Sequence, residues 1–470
     1  MSAQSLPFVG RVKKALLDEQ LQKATPFTQD RLRGGRFKAA DELGNVEEWR
    51  ELASRIRRHT VENLDSYLEE LADNVEKNGG HVHFAQTASD AVNHVLRIAK
   101  ASGARSVVKS KSMVSEEIHL NRHLEEAGVQ VVETDLGEYI IQLAGETPSH
   151  IIAPAIHKNR AQVAELFSEV AGRELSDQTE ELCQFAREEL RRKFLDADIG
   201  ISGCNFGVAE SGSVVLVSNE GNARLTTTLP KVHIAIMGME RLVPTWEELD
   251  IVISMLTRSA TGQKISVYVT ALSGPRRPED TDGPEEFHLI VLDNGRSDIL
   301  GTAYQEVLKC IRCGACLNVC PVYRHIGGHA YGGVYSGPIG SVLTPLFDGY
   351  EDWKDLPNAS SLCGACTDVC PVKIPLHDLL LEHRKDQVEQ GHGKWQDKLA
   401  FKGFGFMTSH PAVYDAAVNS AHKMTDGLAK DGVISSGPGM MAGWTNVRDL
   451  PQPAEQSFRS WWKEKKEGGR

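Results

Sequence analysis

The chain has 470 residues, a formal net charge of −12 and a globular composition, 41% hydrophobic and 25% charged, which is long enough for two or three domains. A pI near 5.8 excludes the dominant basic face of a nucleic-acid-binding surface, and no apolar run approaches the roughly 18 residues that span a bilayer. Met1–Phe8 lacks the basic, apolar and small-residue pattern of an export signal, so the sequence predicts a cytoplasmic protein with reduced thiols.

Residues 1–75 read as a charged helical N-terminal arm, with Val12, Leu16, Leu17 and Leu21, then Trp49, Leu52, Ile56 and Leu64, at near-helical spacings. Over 76–300 the text changes to α/β. Strands at His81–Phe84, Ser106–Val108 and Val129–Glu133 alternate with helices at Ala88–Lys100 and Ser115–Glu126, and Thr87 and Ser112 are the candidate N-caps. This βαβαβ order predicts a doubly wound parallel sheet. Helices at Asn159–Ala171 and Gln178–Leu195 lead into a second β-rich block with strands at Ile199–Ser202, Ser213–Ser218, His233–Met237, Ser266–Ala271 and His288–Leu292; Pro244–Arg258 between them is mostly helical.

Several groups in this domain are candidate ligand contacts. Lys109-Ser110-Lys111-Ser112 follows the second strand and precedes a helix start, a place suited to a phosphate or carboxylate, with solvated lysines as the plainer alternative. Glu210, Glu220, Asn222 and Arg224 lie on two turns flanking a strand and could converge on a ligand, although hairpin turns have the same composition. His157-Lys158-Asn159-Arg160 reads as the polar start of a helix, Cys204 sits in a loop with functional potential, and Cys183 is a helical filler. No dinucleotide, P-loop or serine-nucleophile fingerprint stands at a strand–helix junction.

Residues 301–390 hold the strongest signal. Seven of the nine cysteines form Cys310-x2-Cys313-x2-Cys316-x3-Cys320-Pro321 and Cys363-x2-Cys366-x3-Cys370-Pro371. Closely spaced thiolates wrap one iron–sulfur cluster while the cysteine before proline serves the other. By that rule cluster one takes Cys310, Cys313, Cys316 and Cys370, and cluster two takes Cys320, Cys363 and Cys366. Ser360 stands where an eighth cysteine belongs, so cluster two is three-iron, or four-iron with water, Ser360 or a substrate at the open corner. The plainer reading of Ser360 is a cap or loop residue without iron contact. The Gly-rich Gly327–Pro338 segment is expected to wrap the clusters, with His325 and His329 as packing residues rather than ligands. A helix at His377–Gln390 follows. Residues 391–470 read as a loosely structured C-terminal extension, ending in an aromatic and basic Phe458–Lys466 tail that either docks elsewhere or packs on its own domain.

Ala209-Glu210-Ser211-Gly212-Ser213 in the α/β domain, the four-plus-three cysteines and the Trp461-Trp462 tail together resemble the bacterial lactate utilization protein B family, over nearly the whole chain. The resemblance implies an α/β domain with the fold of sugar-phosphate isomerases and coenzyme A transferases, followed by a helical di-cluster ferredoxin domain. It also implies two 4Fe-4S clusters on the seven cysteines, and electron transfer in the oxidation of L-lactate to pyruvate. Two companion lactate utilization proteins, one cysteine-rich and one a smaller relative of the α/β domain, would take part, with catalysis located elsewhere or shared. Two other readings stand beside it: a self-contained hydroxy-acid oxidoreductase binding substrate near Lys109, Lys111 and Arg224 and feeding cluster two, and a scaffold whose clusters only brace the fold.

Overall fold

The computed structural model describes residues 6–393 and 395–467, apart from the side chain of Met440. Residues through Gln387 form one compact unit and those from Val388 onward a second.

In the first unit the expected α/β alternation is present. Among the described residues it holds ten strands: β1 (His81–Ala85), β2 (Ser106–Lys109), β3 (Gln130–Glu133), β4 (Ile199–Gly203), β5 (Phe206–Val208), β6 (Ser213–Ser218), β7 (Val232–Gly238), β8 (Leu242–Val243), β9 (Tyr268–Leu272) and β10 (Glu286–Leu292). Six of them make one sheet in the order β1-β10-β7-β4-β2-β3, and every pairing in it is parallel. Parallel strands need crossovers and burial on both faces. Here the helix Ala88–Ala101 and Leu120 and Leu124 cover one face over Val107, Val131, Ile199 and Ile234. Leu64, Leu71 and Val75 cover the other over Ala235, Met237, Leu289 and Val291. Thr87 starts its helix with a reciprocal capping box to Asp90, and Ser112 caps the next helix through Ser115 N–H.

The second β-rich block does not form one sheet. Its apolar strands β4, β7 and β10 enter the parallel sheet, while β8-β5-β6-β9 make a separate four-stranded layer. The expected helix Ser115–Glu126 is broken at His119, whose φ is 50°, into Met113–Glu117 and Leu120–Glu126.

The N-terminal segment is helical, with long helices at Glu19–Leu43, Val46–Glu62 and Leu64–Lys77. Its buried residues share one apolar core with the cysteine-bearing segment: Leu21, Ala53 and Ile56 pack in the same cluster as Leu317, Tyr323 and Leu380.

The second unit corrects the expectation of a loose extension. It holds helices at Trp395–Ser409, Pro411–Thr425 and Phe458–Glu467, and a short antiparallel pair of Val433–Ile434 with Leu450–Pro451. The Gly- and Pro-rich text that suggested looseness includes the turn near Ser436–Gly439, but Gly403 and Gly405 stand inside the helix Trp395–Ser409. The tail helix is tied to its neighbour by Arg459 to Asp415 at 3.1 Å, while Trp461 and Trp462 stay largely exposed. Among the described residues no helix is long and apolar enough to cross a membrane.

Candidate metal centres and an adjoining cleft

The two cysteine motifs fold alike. In the first, Arg312 and Gly314 take positive φ (58° and 72°) and turn the chain into the short helix Ala315–Val319; in the second, Leu362 and Gly364 do the same (53° and 80°) ahead of Ala365–Val369. These reversals let thiols three residues apart face one side. The Cys370 sulfur lies among those of Cys310 and Cys313, whereas Cys320, Cys363 and Cys366 are mutual neighbours. Cys316 faces the first group and also Cys366 across the gap. Cys310, Cys313, Cys316 and Cys370 line a small apolar cavity with Ile151, Ile339, Ile374 and Leu376. Cys313, Cys320, Cys366 and Cys370 are buried and Cys363 is exposed.

Burial pushes the Cys313 and Cys366 thiols up to about 12, and those of Cys320 and Cys370 in the same direction. Thiols so placed become thiolates only when a strong positive charge is supplied, as iron supplies it. Backbone N–H groups already point at the sulfurs: Arg312 to Cys310 at 3.4 Å, Tyr323 to Cys320 at 3.5 Å and Ile374 to Cys370 at 3.4 Å. Tyr331, in the Gly-rich segment, is fully buried, and its hydroxyl is directed at the Cys320 sulfur with that of Cys316 nearby. Soft ligands, an apolar wall and donors directed at sulfur fit iron–sulfur clusters.

What sequence reasoning missed is how the cysteine loops are held. Gln29 Nε2 donates to the carbonyls of Leu317 (2.6 Å) and Cys320 (3.2 Å), and Arg36 to that of Val369 (2.7 Å). Arg50 donates twice to the Cys370 carbonyl, at 3.1 and 2.9 Å. Arg57, fully buried, spans the carbonyls of Glu240, Leu242, Leu308 and Lys309. From the α/β side Arg241 donates to the Cys310 carbonyl at 2.6 Å. A signal existed: Arg36 stands in line with Leu32 and Ala39, and Arg57 with Ala53, Ile56 and Thr60, so each cation lies on the buried face of its helix.

Beside the first cysteine group lies a cleft of about 410 Å³. From β2 the chain crosses to β3 on one side, and from β4 to β7 on the other. The gap between the carboxyl ends of β2 and β4 is therefore a topological switch point, where open α/β sheets bind ligands. Ser110, Lys111 and Ser112 from the end of β2, and Gly203, Cys204 and Asn205 from the end of β4, line the cleft there. Gly203 allows a close approach here, since a Cβ would lie 3.0 Å from Ser112 Oγ and the serine would have to shift. Ser110 Oγ is buried without a partner, and Lys111 Nζ donates to the Ile152 carbonyl at 2.9 Å. Burial drives Cys204 up to about 12, which makes it a poor nucleophile.

Of the residues expected to meet a ligand, Lys111, Glu220 and Asn222 line this cleft. Lys109 does not: it is fully buried, 2.7 Å from both Glu116 and Glu133, and so is occupied as an internal counter-ion. Glu210 accepts from Trp246 N–H at 2.8 Å, and Arg224 stands over the Tyr268 ring. Asn159 caps the helix Arg160–Ala171, while His157 and Lys158 pair with Glu146. His329 packs against His157 and bonds the Thr147 carbonyl at 2.7 Å; His325 and Cys183 are exposed. Arg312 lines both the cleft and the cavity of Cys310, Cys313, Cys316 and Cys370. The cleft thus adjoins the first cysteine group, not the second as the hydroxy-acid reading expected.

A parallel α/β domain joined to a paired-motif cysteine domain defines an iron–sulfur electron-transfer protein. Matches to known families agree: residues 68–292 match the LUD domain, 306–374 the 4Fe-4S dicluster domain, and 382–467 the C-terminal region of lactate utilisation protein B. The chain is 57% identical over 464 residues to lactate utilization protein B of Shouchella clausii, covering 98% of each. It is 54% identical to that of Bacillus licheniformis (98% of this chain, 97% of the relative) and 53% to that of Oceanobacillus iheyensis (97% and 96%). The chain belongs to the lactate utilization protein B family, as the cysteine pattern and domain order predict. A crystal structure of a DUF162 family protein from Deinococcus radiodurans matches 49% of this chain and 98% of its own, at 13% identity and a TM-score of 0.28.

Proposed function

We propose that this protein is the iron–sulfur electron carrier of a cytoplasmic system oxidising L-lactate to pyruvate, with two companion lactate utilization proteins and with the chemistry of oxidation outside this chain. The observation that carries the reading is the sorting of seven thiols into two adjoining groups, one beside the cleft and one reaching the surface at Cys363. Cys310, Cys313, Cys316 and Cys370 would hold one 4Fe-4S cluster, and Cys320, Cys363 and Cys366 the other. When bound, each cluster carries one electron reversibly. Removing two electrons and two protons from lactate yields pyruvate, and two one-electron sites match that count. The chain's own residues fix the geometry: Gln29, Arg36, Arg50 and Arg241 hold the loop carbonyls, and Tyr331 and the backbone N–H groups face the sulfurs. Donors of this kind stabilise the more negative, reduced state. In an anaerobic mixture with both companions, L-lactate should bleach the chain's visible absorption; no bleaching in the complete mixture would reject the proposal.

A second reading is favoured by the switch-point cleft, in which Lys111 and Ser110 could receive the carboxylate of a hydroxy acid. It requires lactate-dependent reduction by the isolated chain, abolished in Lys111→Met.

A further inference from the structure

The two motifs are related position by position, and the repeat includes the residue that breaks the cysteine pattern. Ser360 stands to Cys363 as Cys310 stands to Cys313. The Cys310 sulfur accepts a hydrogen bond from the N–H two residues on, that of Arg312, at 3.4 Å; the Ser360 hydroxyl accepts the corresponding bond from Leu362 at 3.1 Å. Those two donors share the left-handed backbone, at φ 58° and 53°. The carbonyl at each position is clamped by an arginine from a distant element, Arg241 on Cys310 at 2.6 Å and Arg384 on Ser360 at 3.2 Å. Arg384 also holds the Pro357 carbonyl at 3.0 Å, so the loop entering the second motif is fixed from two points. Both Cys310 and Ser360 are half-buried. A serine serving only as a turn residue would explain the bond to Leu362, but not the second arginine clamp or the match in backbone.

We propose that Ser360 Oγ is the fourth protein ligand of the second cluster, completing the set of Cys320, Cys363 and Cys366; this rests on the cluster assignment made above. As the iron–oxygen bond forms, the hydroxyl proton passes to solvent, and no electron changes hands. A hard oxygen ligand among thiolates marks one iron as distinct from the other three. Cys363, three residues on, is exposed, while Ser360 is half-buried. The Tyr331 hydroxyl also lies near this group, but it is directed at Cys320, a position already filled by sulfur.

The test compares Ser360→Ala, Ser360→Cys and Tyr331→Phe, purified anaerobically as full chains and followed by iron content, Mössbauer spectra and electron paramagnetic resonance. Ser360→Ala should lose about one iron per chain and show a three-iron signal when oxidised. Ser360→Cys should keep all its iron, with the distinct iron site gone and the second cluster's potential lowered. Tyr331→Phe should keep the four-iron form. The first cluster's spectrum in each sample reports that the chain has folded. Unchanged iron and spectra in Ser360→Ala, a three-iron signal in Tyr331→Phe alone, or loss of the second cluster from both Ser360 variants would each overturn the proposal. Cys366→Ala separates the two levels: if it leaves the second cluster intact, the cluster assignment itself fails, whatever Ser360 does.

Discussion

Glu240 sits buried between Arg296, at 2.7 Å, and Arg312, at 3.4 Å. Burial alone would raise its carboxyl, but Arg296, Arg312 and Arg241 outweigh it and hold the group at about 2. Its folded value is below the ordinary one, so the stability it contributes is present above about pH 4.5 and is lost as pH falls toward 2. Glu240→Gln should destabilise the protein at neutral pH by about 3 kcal/mol, the scale for breaking a buried pair. It should also flatten the acid limb, as urea unfolding midpoints across pH 2–7 would show. Ligand exchange between the motifs is tested at the same scale. Cys370→Ala should abolish the cluster of the first motif, and Cys320→Ala that of the second. Should each variant instead lose only the cluster nearest in sequence, the crossed assignment is wrong. The cysteines were legible because one cluster dictates spacings of two and three residues within a single loop. The clamps Gln29, Arg36, Arg50 and Arg57 were not, because their partners lie some hundreds of residues away along the chain.

Among the elements, the helix Glu19–Leu43 joins the other layers. One side reaches the cysteine loops through Gln29 and Arg36, and another meets the helix Trp246–Thr261, where Gly35 backs onto Gly262. A Cβ at Gly262 would lie 2.4 Å from the Gly35 carbonyl carbon, whereas one at Gly34 meets nothing within 4 Å. Gly34→Ala should therefore stabilise by about 1 kcal/mol through helix propensity, while Gly262→Ala should lower the melting temperature; equal effects would contradict this packing. Arg57→Met leaves buried carbonyls unpaired and should destabilise by on the order of 3 kcal/mol, with iron occupancy falling alongside. Retention of full iron in that variant would show that the arm is not needed to hold the loops. The strands and most helices were readable from periodicity. The second sheet was not, because β5 and β8 are too short to show a period, and the break at His119 has no glycine or proline to announce it. The terminal helices were obscured by glycines within and between them.

For the whole molecule, the proposed role as an electron carrier would take its direction from the arrangement of the cysteine groups. The first cysteine group adjoins the cleft through Arg312, Cys316 faces Cys366 across the two groups, and Cys363 opens to the surface. The order of segments made the family readable from sequence, but the cleft was only half visible. Lys111, Glu220 and Asn222 come from separate stretches that the switch point assembles, and Lys109, their neighbour in sequence, turns into the core instead. The central claim is that both cysteine groups carry reversible electron-transfer clusters rather than structural metal. A potentiometric titration of the anaerobically purified chain, followed by electron paramagnetic resonance, tests it most directly. The account predicts two separate, reversible one-electron couples, their reduced signals broadened by mutual magnetic interaction. A chain that holds iron but shows no reversible couple, or that holds zinc at these cysteines, would contradict it.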